Sequence, residues 1–170
     1  MNTINDWILR TIAHEGGFTN NPNDRGNWTG GKIGVGVLKG TNFGISAESY
    51  PDLDIVNLTQ AQAIAIYLKD YWEPGLNLLT SQQAAWKIFD IGVNFGQSVG
   101  VKVLQTVVKV AVDGSLGNAT AAAANAIPEL QLLISIGKEE ARRHVADVVA
   151  NPADLQFLGN WIARSFDLGF

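Results

Sequence analysis

The sequence predicts a mainly α fold: six or seven helices with one small β hairpin near the N-terminus. Three observations carry this. Apolar residues recur three and four apart over most of the chain, as in Ile4, Trp7, Ile8, Ile12 and Ala13 near its start and Leu155, Leu158, Trp161 and Ile162 near its end. Helix-opening pairs (Thr59 with Gln62, Thr80 with Gln83) and helix-closing pairs (Pro74-Gly75, Asn151-Pro152) bracket such stretches. Period-two alternation is convincing in one place alone, Lys32-Ile33-Gly34-Val35-Gly36-Val37-Leu38. The 170 residues suit one domain, and a chain of this size buries roughly 70% of its unfolded surface without staples. The expectation is one domain over residues 1–170, with an N-terminal lobe (1–73), a C-terminal lobe (74–170) and the turn Pro74 to Leu79 as the hinge between them.

Each element has its own signal. The first helix ends at Glu15, because Gly16-Gly17 weakens helix by roughly 1 kcal/mol per residue relative to alanine and opens positive φ. Phe18 to Asn27 is turn chemistry, dense in Asn, Asp, Pro and Gly. Lys32 to Leu38 reads as the strand or hairpin. Helices are then expected from Thr59 to about Trp72, from Thr80 to about Val93, and from Gly96 to Val112 with Val99, Val103, Val107 and Val110 on its apolar face. Asp113-Gly114 is a turn that lacks the run of oxygen ligands a calcium loop needs. A short alanine-rich helix from Ala119 to Ala126, a long one from Glu129 to about Val149, and a last one from Ala153 to about Phe166 complete the chain.

Composition narrows the function. With no cysteine and two distant histidines, His14 and His144, neither a disulfide scaffold nor a metal site is expected, and no cofactor is implied. The net charge of −4 argues against a nucleic-acid binder, whose affinity rests on clustered Lys and Arg. No apolar run approaches the roughly 18 residues of a membrane span, and Met1 to Trp7 has no basic leader, so a soluble cytosolic product is expected.

The residues that suggest chemistry cluster early. A carboxylate at a helix C-terminus faces the negative end of the dipole and, in a packed turn, loses water; both favour its protonated form. Glu15 stands there, and a protonated carboxyl is what a glycosidase uses to protonate a leaving-group oxygen. Asp24, nine residues on, is the natural second carboxylate, across a turn from Glu15, and a hairpin rooted nearby would wall the cleft. Thr41 would orient an attacking water through its hydroxyl. Trp28, exposed among glycines, and Tyr71 are candidates to stack on sugar rings, whereas Tyr67 and Trp86 read as core.

In order, His14-Glu15-Gly16-Gly17, then Asp24-Arg25-Gly26, then Thr41-Asn42-Phe43-Gly44-Ile45 closely resemble the N-terminal signature of glycoside hydrolase family 108, the lysozyme-like muramidases of phage endolysins and secretion-associated bacterial proteins. Phe89-Asp90-Ile91-Gly92-Val93-Asn94, Leu104-Gln105, Asp113 to Thr120 and Trp161-Ile162-Ala163-Arg164 resemble the predicted peptidoglycan-binding region that follows in those proteins.

The resemblance implies a lysozyme-like fold and cleavage of the β-1,4 bond between N-acetylmuramic acid and N-acetylglucosamine in bacterial peptidoglycan. By motif position Glu15 takes the catalytic glutamate's role, Asp24 the aspartate's and Thr41 the threonine's. Asn42, Phe43 and Asn94 join Trp28 and Tyr71 as expected substrate contacts. The segment Asn27 to Lys39 lengthens the gap between Asp24 and Thr41 relative to the shorter family pattern, which makes Thr29 a rival for the threonine role. The C-terminal motifs fall within helices that a second lobe needs, so one fused core is expected rather than a separate wall-binding module. A monomer made in the bacterial cytoplasm and released through a holin-like pore follows from the phage setting. Two other readings of the same residues stand beside it: a non-catalytic peptidoglycan-binding or secretion-accessory protein, and a lytic transglycosylase.

Overall fold

In a computed structural model, which describes residues 3–168, the chain opens with α1 (Ile4–Glu15). Thr3 and Asp6 cap it reciprocally: the Thr3 backbone N–H donates to Asp6 Oδ2 at 2.7 Å, and the Asp6 N–H donates to Thr3 Oγ1 at 3.4 Å. Trp7, Ile8, Thr11 and Ile12 are its buried face. Ala13, placed on that face by spacing, is exposed, and Thr11 is buried in its stead. Gly16 ends the helix at φ 84°, as the glycine pair predicts.

The chain divides into two compact units, Met1–Asp70 and Tyr71–Phe170. In the first, α1 packs on α2 (Gln60–Asp70), which opens with the predicted capping box: the Thr59 N–H donates to Gln62 Oε1 at 2.9 Å, and the Gln62 N–H to Thr59 Oγ1 at 3.3 Å. This helix stops at Asp70, short of the predicted Trp72.

The hairpin exists, but not where alternation placed it. Strands β1 (Thr41–Asn42) and β2 (Ile45–Ser46) pair antiparallel, with Thr41 opposite Ser46 and Asn42 opposite Ile45. Residues 32–38 form a looped excursion, with an isolated bridge between Trp28 and Leu38 at its base and backbone N–H groups of Thr29 and Gly30 donating to the Val37 and Val35 carbonyls. Gly34 and Gly36 take φ of 77° and 82°, which a strand cannot accommodate, so the alternating aliphatics find no sheet face to cover. Ile33, Val35 and Val37 are accordingly 60%, 48% and 59% exposed.

The second unit is helical: α3 (Gln82–Phe95), α4 (Gln97–Val108), α5 (Asn118–Asn125), α6 (Glu129–Ala150) and α7 (Leu158–Ser165), with 3₁₀ turns at Pro74–Leu78 and Pro152–Phe157. α3 is buried continuously from Ala84 to Gly92 and packs against α4 and α6. Its cap is Ser81, whose Oγ accepts from the Ala84 N–H at 3.0 Å. Thr80, the predicted cap, is held by the Asn125 side chain instead, a contact from 45 residues away. α4 ends earlier than predicted because Lys109 turns left-handed at φ 59°, and Gly100, Val101 and Leu104 join Val103 on the buried face while Val99, Val107 and Val110 are only half-buried. The predicted last helix is a 3₁₀ turn followed by α7, and Leu155, expected inward, is 63% exposed.

Charged side chains run through this core. Lys87 and Glu140 are both fully buried, with Nζ and Oε2 2.9 Å apart, and Lys87 Nζ also donates to the Arg164 carbonyl at 2.7 Å. Arg164 clasps buried Asp90 through two bonds of 3.0 Å. His144 lies between the Phe95 and Trp161 rings, with Nε2 3.9 Å from Glu140 Oε1. Gln105, also buried, uses its amide to clamp the Asp113–Ser115 turn: Nε2 donates to Asp113 Oδ1 and to the Ser115 carbonyl, and Oε1 accepts from the Gly114 N–H. Among the described residues no single helix is long and apolar enough to cross a membrane.

Candidate active site

Glu15 is the last residue of α1. The packed turn expected around it is one-sided: the residue as a whole is exposed, while the β1–β2 turn lies against its aliphatic stem. That turn is Phe43-Gly44, both left-handed (φ 53° and 76°), the geometry of a two-residue type I′ hairpin. A methyl at Gly44 would sit 3.0 and 3.1 Å from Glu15 Cβ and Cγ and 2.5 Å from the Tyr67 hydroxyl. Glycine is therefore required at 44 by space as well as by φ.

Beyond Gly17 the chain returns to the hairpin. Thr19 and Thr41 exchange backbone bonds of 2.9 and 2.8 Å, so the segment leaving Glu15 runs antiparallel to β1. Thr41 Oγ1 donates at 2.7 Å to Oδ1 of Asn27, a fully buried side chain whose Nδ2 donates to the Asn21 carbonyl at 3.1 Å. The Asn27 carbonyl accepts from both Lys39 and Gly40, and its N–H donates to the Asp24 carbonyl at 3.2 Å. Asn27 is thus the knot joining the Thr41 strand to the Asp24 loop. Nothing in its local sequence marks it among the neighbouring turn residues.

Asp24 caps the short 3₁₀ turn Arg25–Asn27, one carboxylate oxygen accepting from the Gly26 N–H at 2.9 Å. The residue is exposed and that bond engages only one of its two oxygens. Thr41 has given its hydroxyl hydrogen to Asn27, so toward a water it acts as acceptor. Thr29 has a different partner: its Oγ1 accepts from the Val37 N–H at 2.9 Å and fixes the excursion.

The other candidates are placed as follows. Trp28 is half-buried and its indole N–H donates to the Pro22 carbonyl at 2.9 Å, bracing the Asp24 loop. Asn42 is buried, its amide donating to the Ile55 carbonyl at 3.2 Å. Phe43 is half-buried, with its carbonyl accepting from the Tyr67 hydroxyl at 3.0 Å. Tyr71 and Asn94 belong to the second unit, where Tyr71 lines a cavity of about 10 Å³ with Glu73 and Phe89, and Asn94 is exposed near the end of α3.

Residues 8–96, from the middle of α1 to the end of α3, match the model of glycosyl hydrolase 108. The chain belongs to that family. The hydrolase is accordingly a glycoside hydrolase of the lysozyme-like kind that degrades peptidoglycan. Among solved structures it is similar to that of Brucella abortus SagA, with a TM-score of 0.68 and 22% identity over 95% of this chain and 88% of that one. None of the curated proteins matches it. The matched region of the hydrolase contains Glu15, Asp24 and Thr41 together with Asn27 and Tyr67.

Proposed function

We propose that the chain is an N-acetylmuramidase that cleaves the β-1,4 bond between N-acetylmuramic acid and N-acetylglucosamine, and that it serves as a phage endolysin. The observation that carries this reading is the framework around Glu15: a solvent-accessible carboxyl at a helix end, its stem against the hairpin turn, with Thr41 and Asp24 bound into the same unit through Thr19 and Asn27. Glu15 protonates the glycosidic oxygen as the bond breaks. Asp24 supplies the second carboxylate, as base toward a water or as electrostatic support for the oxocarbenium ion. Thr41, free to accept, orients that water. In the endolysin setting the enzyme acts on the wall after release through a holin-like pore.

The test is Glu15→Gln on purified peptidoglycan. General acid catalysis contributes roughly 10²- to 10⁴-fold, so reducing-end release should fall by that order. Stability should stay within about 1 kcal/mol of the parent, because Glu15 is exposed. Near wild-type cleavage by the variant would overturn the assignment. Products carrying 1,6-anhydro ends would identify a transglycosylase, and sacculus binding without new reducing ends a non-catalytic binder.

A further inference from the structure

We infer that Tyr67 is a positioning residue for the reaction, holding Glu15 through the Phe43–Gly44 turn; this rests on the reading of Glu15 as the acid. Tyr67 lies on α2 on the same face as Ala63, one turn earlier, and is 2% exposed. By pattern it is core, yet its hydroxyl is used: it donates at 3.0 Å to the Phe43 carbonyl. Phe43 is one of two non-glycine residues at positive φ among the described residues, a conformation that persists where surrounding contacts enforce it. The Tyr67 hydrogen bond is such a contact, made at the strained residue itself.

The consequence reaches Glu15 directly. The same point in space, the position of an added methyl at Gly44, is in contact with the Tyr67 hydroxyl on one side and with Glu15 Cβ and Cγ on the other. The turn is therefore pinned from α2 and lies beside the glutamate stem at the end of α1. The stem of Glu15 thus has the hairpin turn beside it, and that turn is bonded to Tyr67. A general acid must stand within hydrogen-bond reach of the oxygen it protonates, and a displacement of about 1 Å costs roughly 10²-fold in rate.

Tyr67→Phe keeps the ring and removes the hydroxyl. On soluble peptidoglycan fragments we expect kcat to fall on the order of 10-fold with KM within about twofold, and the limb of the pH–rate profile set by the acid to move. Gly44→Ala, which places a methyl against both partners, should give the same kcat-dominated loss. In a Glu15→Gln background Tyr67→Phe should add nothing, because the group it positions is gone. Unchanged kcat and pH profile in folded Tyr67→Phe, or a loss confined to thermal stability, would overturn the proposal while leaving Glu15 intact. An active Glu15→Gln enzyme would instead remove the acid assignment, a separate outcome. A Tyr67→Phe loss that persists undiminished in the Glu15→Gln background would show the hydroxyl acting elsewhere and equally overturn the proposal.

Discussion

Replacing Lys87 by methionine should be among the most damaging single changes in the second unit. Lys87 and Glu140 are both 0% exposed, so neither charge has solvent to fall back on. Their 2.9 Å contact is close but poorly aimed as a hydrogen bond, and His144 Nε2 lies 3.9 Å from the other carboxylate oxygen. Lys87→Met leaves the Glu140 carboxylate buried without its cation and frees the Arg164 carbonyl of its donor. Breaking a buried pair from one side costs about 3–5 kcal/mol. For a chain of this length that is a drop in Tm of roughly 6–20 °C, readable by calorimetry or by urea titration followed by circular dichroism. The double variant Lys87→Met with Glu140→Leu should recover most of the loss, because an apolar pair of similar volume removes both desolvation penalties. A single variant that loses less than about 1 kcal/mol would refute the reasoning, since it would mean that water reaches the carboxylate.

Asn27→Ala should cost about 1–3 kcal/mol by removing a buried amide and the two bonds it makes, with Thr41 and the Asn21 carbonyl, and should speed proteolytic nicking within 20–28 as the Asp24 loop loses its anchor. Asp113 has its carboxyl held below the usual 3.8, first by the Gln105 side chain and then by the Ser115 N–H. Its stabilising contribution is therefore present above the ordinary carboxylate range and lost as pH falls through the lower folded value; the stability gap between wild type and Asp113→Asn, measured by urea midpoint, should close as pH drops below about 4. Replacing Ile33, Val35 and Val37 together by serine should leave each position within about 0.5 kcal/mol of neutral, because all three are already exposed; a large loss in urea midpoint would show that they are packed.

What the sequence discloses depends on how far apart the interacting residues lie. The Trp7-Ile8-Ile12 stripe, the Gly16 stop and the Thr59–Gln62 box are local, and all are seen. Period two misplaced the hairpin because alternation records side chains and not φ: Gly34 and Gly36 turn left-handed, while Phe43-Gly44, with no Asn-Gly or Asp-Gly signal, makes the tight turn. Ser81 displaces Thr80 as a cap because Asn125 claims Thr80, which no window of the sequence could register. Of the site, Glu15 and its helix end were legible. Asn27 and Tyr67 were not, because what distinguishes them is a partner 14 or 24 residues away. Asp90 and Arg164, singled out only through motifs at opposite ends of the second unit, turn out to be one bidentate pair.

That pair also sets an order of assembly. Asp90 finds its partner on the last helix, 74 residues downstream, while Lys87 pairs with Glu140 on α6 and reaches the Arg164 carbonyl 77 residues downstream. During synthesis α3 thus emerges carrying an anion and a cation whose complements do not yet exist, and it cannot settle into an apolar interior until α7 has left the ribosome. The second unit closes late, from its far end.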